Sequence, residues 1–305
     1  MTRGVRHLLD LDDLAPAELS AVLALAQDEY PPHVLAGRGV ALVFQKPSAR
    51  TRNSSEVAVF QLGGHPVSIR GDEVGIDTRE TAEDVCRALC QYHSAIGARV
   101  LDHAVLERMA RVASVPVVNL LSDRAHPLQA LADLLTLRAH WGGSLAGRRL
   151  AWVGDGNNVA RSLVIGCAMS GVAVSIASPP GHGLDQDVLD RVAALGGEVQ
   201  ATSSPVEAVE GADAVSTDVW VSMGQEGEEA SRLEAFRPYQ VDAALMARAA
   251  PKAAFLHCLP ARRGEEVTDE VIDGPQSVVW PQAANRLRAV RGLLLWMFGS
   301  HDGQA

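Results

Sequence analysis

Short apolar runs alternate with amphipathic stretches along nearly the whole chain. In the first half, runs at residues 39–45, 65–70, 94–99 and 116–121 have the length and apolar continuity of buried strands. Amphipathic segments at 51–62, 79–92 and 103–113 predict helices between them, and another runs from His126 to about Trp141. The stretch HWGGSLAGRRL at 140–150 interrupts the rhythm and marks a domain boundary. The pattern then restarts with a strand at 149–154 and a helix from about Asn157. Strands at 172–177, 198–201, 214–217 and 254–258 follow, with helices between them. Residues 282–297 read as one long helix, which as the last element can return to pack on the first domain. This alternation predicts an α/β fold of two domains, each a parallel sheet flanked by helices. The domains are expected at residues 1–140, joined by the C-terminal helix 282–305, and at residues 141–281. Ligands of such sheets sit at the carboxyl ends of the strands, where loops enter helices. The active site is therefore expected at strand-to-helix turns, in the cleft between the domains.

Composition narrows the partners. A chain of 305 residues with 47% apolar content can bury a large core without disulfides. Its formal charge of −10 repels nucleic acid and anionic membranes, so neither is an expected partner. An anionic ligand would be repelled at a distance too, and a phosphate would need a local cluster of arginines. Lysine occurs only at Lys46 and Lys252, and arginine is the better fork for phosphate and carboxylate. A genome-wide codon bias is the simpler source of that arginine excess. The N-terminal MTRGVRHLLDLDD has no apolar run of signal-peptide length, and no stretch is apolar enough to predict a transmembrane helix. Cys86, Cys90, Cys167 and Cys258 are scattered, which fits reduced thiols in a cytoplasmic protein. Cys86 and Cys90 stand four apart on a predicted helix; two core-facing thiols are a plainer reading than a metal site.

Several turns carry candidate chemistry, each with a bland alternative. KPSARTR (46–52) follows a predicted strand and opens a helix, whose free N–H groups and partial positive charge suit phosphate. Ser48 and Thr51 add hydroxyls, and Arg50 and Arg52 add guanidinium forks; a helix cap with solvated arginines would look the same. In HPLQ (126–129), Pro127 suits a first helical turn, and His126 and Gln129 lie one turn apart on one face. An imidazole there can donate to a carbonyl oxygen and an amide can hold an –NH₂ group, although a lone His at a helix start is often structural. GDGNN (154–158) resembles a dinucleotide turn but lacks the G-x-G-x-x-G spacing, so no nicotinamide cofactor is expected. Its asparagines can cap the helix or bind an amino-acid backbone. DVWVSMGQE (218–226) places a carboxylate where it can hold an ammonium group or cap a helix. HCLPARRGEE (257–266) puts a thiol at a strand end before a proline turn, where it can reach a ligand or simply be buried.

The joint order of SARTR, HPLQ, GDGNN, DVWVSMGQE and HCLPARRGEEVTDEVIDGP resembles the ornithine carbamoyltransferase family over essentially the whole chain. SARTR and HPLQ are similar to the general carbamoyltransferase signature for carbamoyl phosphate; DVWVSMG and HCLP resemble the ornithine branch. The resemblance implies that Ser48, Ala49, Arg50, Thr51, Arg52, Arg99, His126, Gln129, Cys258, Leu259 and Arg286 bind carbamoyl phosphate. It implies that Asn158, Asp218, Ser222 and Met223 bind ornithine, and that Cys258, Arg99, His126 and Asp218 are catalytic. It further implies transfer of the carbamoyl group to the δ-amine of L-ornithine without metal or cofactor, in a homotrimer with shared active sites.

The chain departs from the family pattern in places. Ala49 stands where a Thr is usual, Arg262 where a second His is often found, and Ala284 where a Glu often precedes the Asn of the last helix. The neighbour's loop, 71–80 here, usually carries a Gln and has none, leaving Arg79 as a substitute. Readings left open are another amine acceptor (putrescine, lysine or an acylated ornithine), a non-catalytic paralogue, and, poorly supported, a nicotinamide-dependent enzyme.

Overall fold

Strands buried on both faces read as unbroken apolar runs, and the central strands here are of that kind. The computed structural model describes residues 5–222 and 226–299. They form two compact units, one holding the residues up to Leu131 and from Arg286 onward, the other Ala132–Asn285.

The first unit contains β1 (Gly39–Phe44), β2 (His65–Arg70), β3 (Ala95–Arg99) and β4 (Val117–Leu121), all parallel in the order β2-β1-β3-β4. Its helices are α1 (Pro16–Leu25), α2 (Ala49–Gln61), α3 (Gly71–Val74), α4 (Ala82–Leu89) and α5 (His103–Val112). A longer helix, α6 (Pro127–His140), begins in this unit and runs on into the second. β1 and β3 are almost wholly buried, whereas the edge strand β2 is partly exposed and tolerates Pro66. The order reverses between β1 and β3, which places the turns after both strands at the topological switch point.

Helix starts are set by side chains. Ser48 accepts from the Thr51 N–H and opens α2; Thr81 accepts from Asp84 and opens α4; Asp102 accepts from Ala104 and opens α5. The Thr81 cap also corrects one expectation: the helix predicted over 79–92 spans only Ala82–Leu89. Before it, Gly75 in the left-handed region ends the short α3, and the Thr78 and Arg79 N–H groups both turn back onto its carbonyl. The segment 71–80 is therefore a folded turn whose Ile76 is buried.

The second unit contains β5 (Arg149–Val153), β6 (Ala173–Ala177), β7 (Val199–Thr202), β8 (Ala214–Thr217) and β9 (Ala254–His257), parallel in the order β7-β6-β5-β8-β9. Its helices are α7 (Asn158–Met169), α8 (Gln186–Ala194), α9 (Pro205–Val209), α10 (Glu229–Phe236), α11 (Ala243–Met246) and α12 (Asp269–Ile272). One core cluster joins Val153, Val215, Tyr239, Val241, Phe255 and Ile272. Here the order reverses between β5 and β8, so the turns after them share the second switch point. Among the described residues, no helix is long and apolar enough to cross a membrane.

The last helix, α13 (Val279–Phe298), starts in the second unit and belongs to the first from Arg286. There Arg291 donates to the Gln61 side chain (3.0 Å). A Cβ at Gly292 would lie 2.6 Å from the Ala26 Cβ and 2.7 Å from the Val22 carbonyl oxygen. Two effects compete at this glycine. Gly→Ala in a helix interior gains about 1 kcal/mol of propensity, whereas overpacking costs about 1–3 kcal/mol. The nearest atoms are backbone and a Cβ, which cannot rotate away, so the clash should win. Gly292→Ala is expected to lower the urea midpoint with an unchanged m-value; a raised midpoint would mean that α1 moves aside.

Candidate active site

In the first unit the signature residues lie at the end of β3, at the turns after β1 and β4, and on the helices α2, α6 and α13. Ser48 caps α2, and its hydroxyl also donates to Thr51 Oγ1 (3.1 Å). Thr51 is buried and accepts from Arg286 Nη2 (3.3 Å). Arg286, 3% exposed, also donates to Gln129 Oε1 (3.1 Å) and approaches His126 Nε2 at 3.5 Å. An arginine only donates, so the imidazole accepts at Nε2 and carries its proton on Nδ1. Burial, then the charges of Arg286, Arg99 and Arg50, hold the His126 pKa well below the usual imidazole value. His126 is thus neutral at pH 7. Arg99 ends β3 and is buried, while Arg50 lies exposed on the first turn of α2. The unit thus holds several cationic groups around a neutral imidazole, an arrangement suited to an anion.

Arg52 stands apart from that group. Its Nε is on Glu56 one turn later (2.8 Å), and Glu56 also accepts from Ser68 (2.5 Å). It lines a cavity of about 750 Å³ with Ser48, Ala49, Asn53, Arg70 and Asp72. Arg79, at the end of segment 71–80, is exposed beside Glu80.

In the second unit, Asp218 follows β8 and is buried. Its Oδ1 accepts from the Cys258 thiol (3.0 Å) and its Oδ2 from Asn157 Nδ2 (2.8 Å). Asn157 spends its other amide atom on capping α7, accepting from Val159 (3.0 Å) and Ala160 (3.1 Å). Asn158 is the first residue of α7, and Asn158 and Ser222 are both half-buried. Met223 lies outside the described residues.

Cys258 and Leu259 follow β9 in a tightly held turn. Leu259 takes a left-handed conformation (φ 60°) before a cis bond to Pro260. Its N–H donates to His257 Nδ1 (2.9 Å), so the ring proton sits on Nε2 and is given to Glu266 (3.0 Å). Glu266, itself fully buried, takes the Arg262 N–H as well (2.6 Å). The His257 N–H donates to Gln282, which in turn donates to the buried Asp133 (2.7 Å). Behind the Asp218 turn, buried Arg232 donates to the Trp220 carbonyl (2.7 Å) and pairs with Asp155. Burial pushes the Asp155 pKa up, and Arg232 opposes that shift.

Motif reading alone does not find this supporting layer of Asn157, His257, Glu266, Gln282, Asp155 and Arg232. The two Asn of GDGNN and the Glu of RRGEE are visible, but nothing in the string says which of them points at Asp218 or His257. Donor atoms of Asp218, His257 and Cys258 converge within 4.8 Å, close enough to share a metal ion. Both nitrogens of His257 are already committed, so metal ligation through it would break a buried hydrogen bond.

Comparison with known proteins bears on both units. Residues 6–139 match the carbamoyl-P binding domain of aspartate/ornithine carbamoyltransferase, and residues 146–297 match its Asp/Orn binding domain. The ornithine carbamoyltransferase of Acidothermus cellulolyticus is 49% identical over 98% of this chain and 99% of its own length. That of Thermus thermophilus is 48% identical over 95% and 96%. The solved ornithine carbamoyltransferase of Pyrococcus furiosus superposes with a TM-score of 0.93 at 44% identity, covering 98% of this chain and 99% of that one. Two consecutive domain matches and full-length similarity at this level leave one conclusion: the chain belongs to the aspartate/ornithine carbamoyltransferase family.

Proposed function

We propose that this chain transfers the carbamoyl group of carbamoyl phosphate to the δ-amine of L-ornithine, giving L-citrulline and phosphate. The observation that carries the acceptor assignment is the buried Asp218 carboxylate on the Cys258 thiol. A buried carboxylate at a strand end is a ready partner for an alkylammonium, and the full-length relatives carry the same activity in their names.

The residues fit the steps. Carbamoyl phosphate is an anion, and the N-terminus of α2 with Ser48, Arg50 and Arg99 supplies fixed positive charge for it. As the amine attacks, negative charge grows on the carbonyl oxygen. Arg99, Thr51 and the Nδ1–H of neutral His126 serve as preorganised donors there, which costs no reorganisation in the transition state. Gln129 Oε1, oriented by Arg286, is an acceptor for the carbamoyl –NH₂. Cys258 and Leu259 are assigned to carbamoyl phosphate through the HCLP motif. The δ-ammonium of ornithine is protonated at neutral pH and must lose a proton before it attacks. Asp218 holds it, Cys258 shares the proton traffic, and the departing phosphate takes up a proton at the end. Asn158, Ser222 and Met223 are assigned to the amino-acid end of ornithine. The chemistry needs no redox or metal cofactor.

The reading includes a cytoplasmic homotrimer in which segment 71–80 of one chain reaches the phosphate region of the next. The cavity beside Ser48 and the exposed Phe60 (72%) and Val57 on the adjoining face of α2 support it. Arg79 is the cationic candidate on that segment, in place of the Gln it lacks.

The test of the acceptor is a comparison of kcat/KM for ornithine, lysine, putrescine, N-acetylornithine and aspartate. Ornithine should lead; a preference of about tenfold for another amine, about 1.4 kcal/mol in barrier, would overturn the assignment. Asp218→Asn should reduce kcat/KM for ornithine about 100-fold, the scale of one charged transition-state contact. Carbamoyl phosphate affinity by calorimetry should hardly change, and equal losses for both substrates would mean that the role is misassigned. Glu266→Ala leaves His257 Nε2–H and the Arg262 N–H without a buried acceptor, at about 1–3 kcal/mol each. It should lower both stability and kcat, whereas Glu266→Gln, which keeps an acceptor oxygen, should recover most of kcat. Equal kinetics for the two variants would remove the pair from any positioning role.

A further inference from the structure

We propose that Cys86 and Cys90 form a reversible dithiol–disulfide site at the end of α4, separate from the residues assigned to carbamoyl transfer. Their Sγ atoms lie 4.0 Å apart. Four helical residues advance about 6 Å along the axis, inside the limit of about 7 Å between bridged Cα atoms. The sulfurs must close to about 2.05 Å, so the last turn of α4 has to tighten. The backbone can yield there, because Cys90 is the C-cap and residues 90–92 form a turn before β3.

The two thiols are unequal in a way that suits stepwise exchange. Cys86 is fully buried with Val85, Leu106 and Met109, and its S–H donates to the Met109 carbonyl (3.3 Å). Burial, with Cys90 adding to it, pushes its pKa up to about 12, so in the folded state it stays protonated. Cys90 is only partly buried, at the rim of the same cluster, and is the sulfur a small reagent reaches first. Cys167 is fully buried, and Cys258 is engaged with Asp218, so neither stands in a comparable thiol pair in the described residues.

The oxidant is a low-molecular-weight disulfide. The Cys90 thiolate attacks one of its sulfurs, its S–S bond breaks, one small thiolate departs, and Cys90 carries a mixed disulfide. Cys86 then passes its proton to the departed small thiolate, and the last turn of α4 tightens. Its sulfur attacks Cys90 Sγ, the intrachain bond forms as the mixed S–S bond breaks, and the second small thiolate leaves and takes up the proton that Cys90 had released to solvent. The protein gives up two electrons and two protons, and the small disulfide becomes two thiols. Oxidation also withdraws the S–H donor from the Met109 carbonyl, so it loosens the α4–α5 packing that the reduced pair supports. Excess small thiol reverses each step.

The experiment is peptide mapping of the intact protein after incubation with glutathione disulfide. Trypsin cuts after Arg87, so the two cysteines fall in different peptides, 80–87 and 88–99. The expected result is that these two peptides are joined by a bond that dithiothreitol removes. The joined form should exceed the glutathione adduct of Cys90 by about tenfold, because the second sulfur is held beside the first. Cys86→Ala should trap the Cys90 adduct, and Cys90→Ser should abolish the linkage, both with the circular dichroism of the parent. The proposal is overturned if the parent protein accumulates the Cys90 adduct as Cys86→Ala does. It is also overturned if neither thiol reacts in the folded protein.

Discussion

A parallel sheet has one inescapable consequence: every strand that feeds a helix delivers that helix N-terminus at the same edge of the sheet. In this chain that edge is where helices must be capped, and the capping residues and the residues proposed to bind ligands come from the same few turns. Ser48 caps α2 and sits in the phosphate signature; Asn157 caps α7 and holds Asp218. The free N–H groups of a helix start and the chemistry of an anionic ligand ask for the same polar surroundings. Both sheets also reverse their strand order at those turns, which spreads the neighbouring loops apart.

That crowding of polar groups at the sheet edge requires buried polar order. Thr51, Gln129, His126 and Arg286 in one unit, and Asp218, His257, Glu266 and Gln282 in the other, are all nearly inaccessible to water. A buried polar group left unmatched costs about 1–3 kcal/mol, so these side chains are held by mutual hydrogen bonds as much as by packing. The tautomers illustrate it. His257 must accept at Nδ1 because Leu259 donates there, and His126 accepts at Nε2 because the Arg286 guanidinium faces it. Each ring's tautomer is thereby set by a neighbour.

The elements are legible in the sequence because period and punctuation agree: apolar runs mark the strands, and Ser, Thr, Asp and Asn mark helix starts. The boundary at 79–82 is the instructive exception. Residues 79–81 carry no helix-breaking type, and only the three-dimensional turn closed by Gly75 and the Thr81 cap excludes them from α4. The motif residues are legible too, through their order along the chain. Their supports are not. Glu266 meets His257 across nine residues and Arg232 meets Asp155 across seventy-seven, and no local periodicity encodes such pairings. Arg52 makes the same point from the other side, since a string rich in arginines does not say which of them an adjacent glutamate will pair with.

Asn157 carries a consequence for how this sequence can vary. One face of its amide is an acceptor that starts α7, and the other is a donor that fixes Asp218. Aspartate would keep the acceptor but set a second negative charge against the carboxylate. Serine or threonine would keep a cap but fall short of the second partner. Glutamine would keep the amide but lose the short reach that capping needs. The set of residues that satisfies folding and the set that satisfies the site overlap at a single member. Asparagine is singled out at this position by valence and reach.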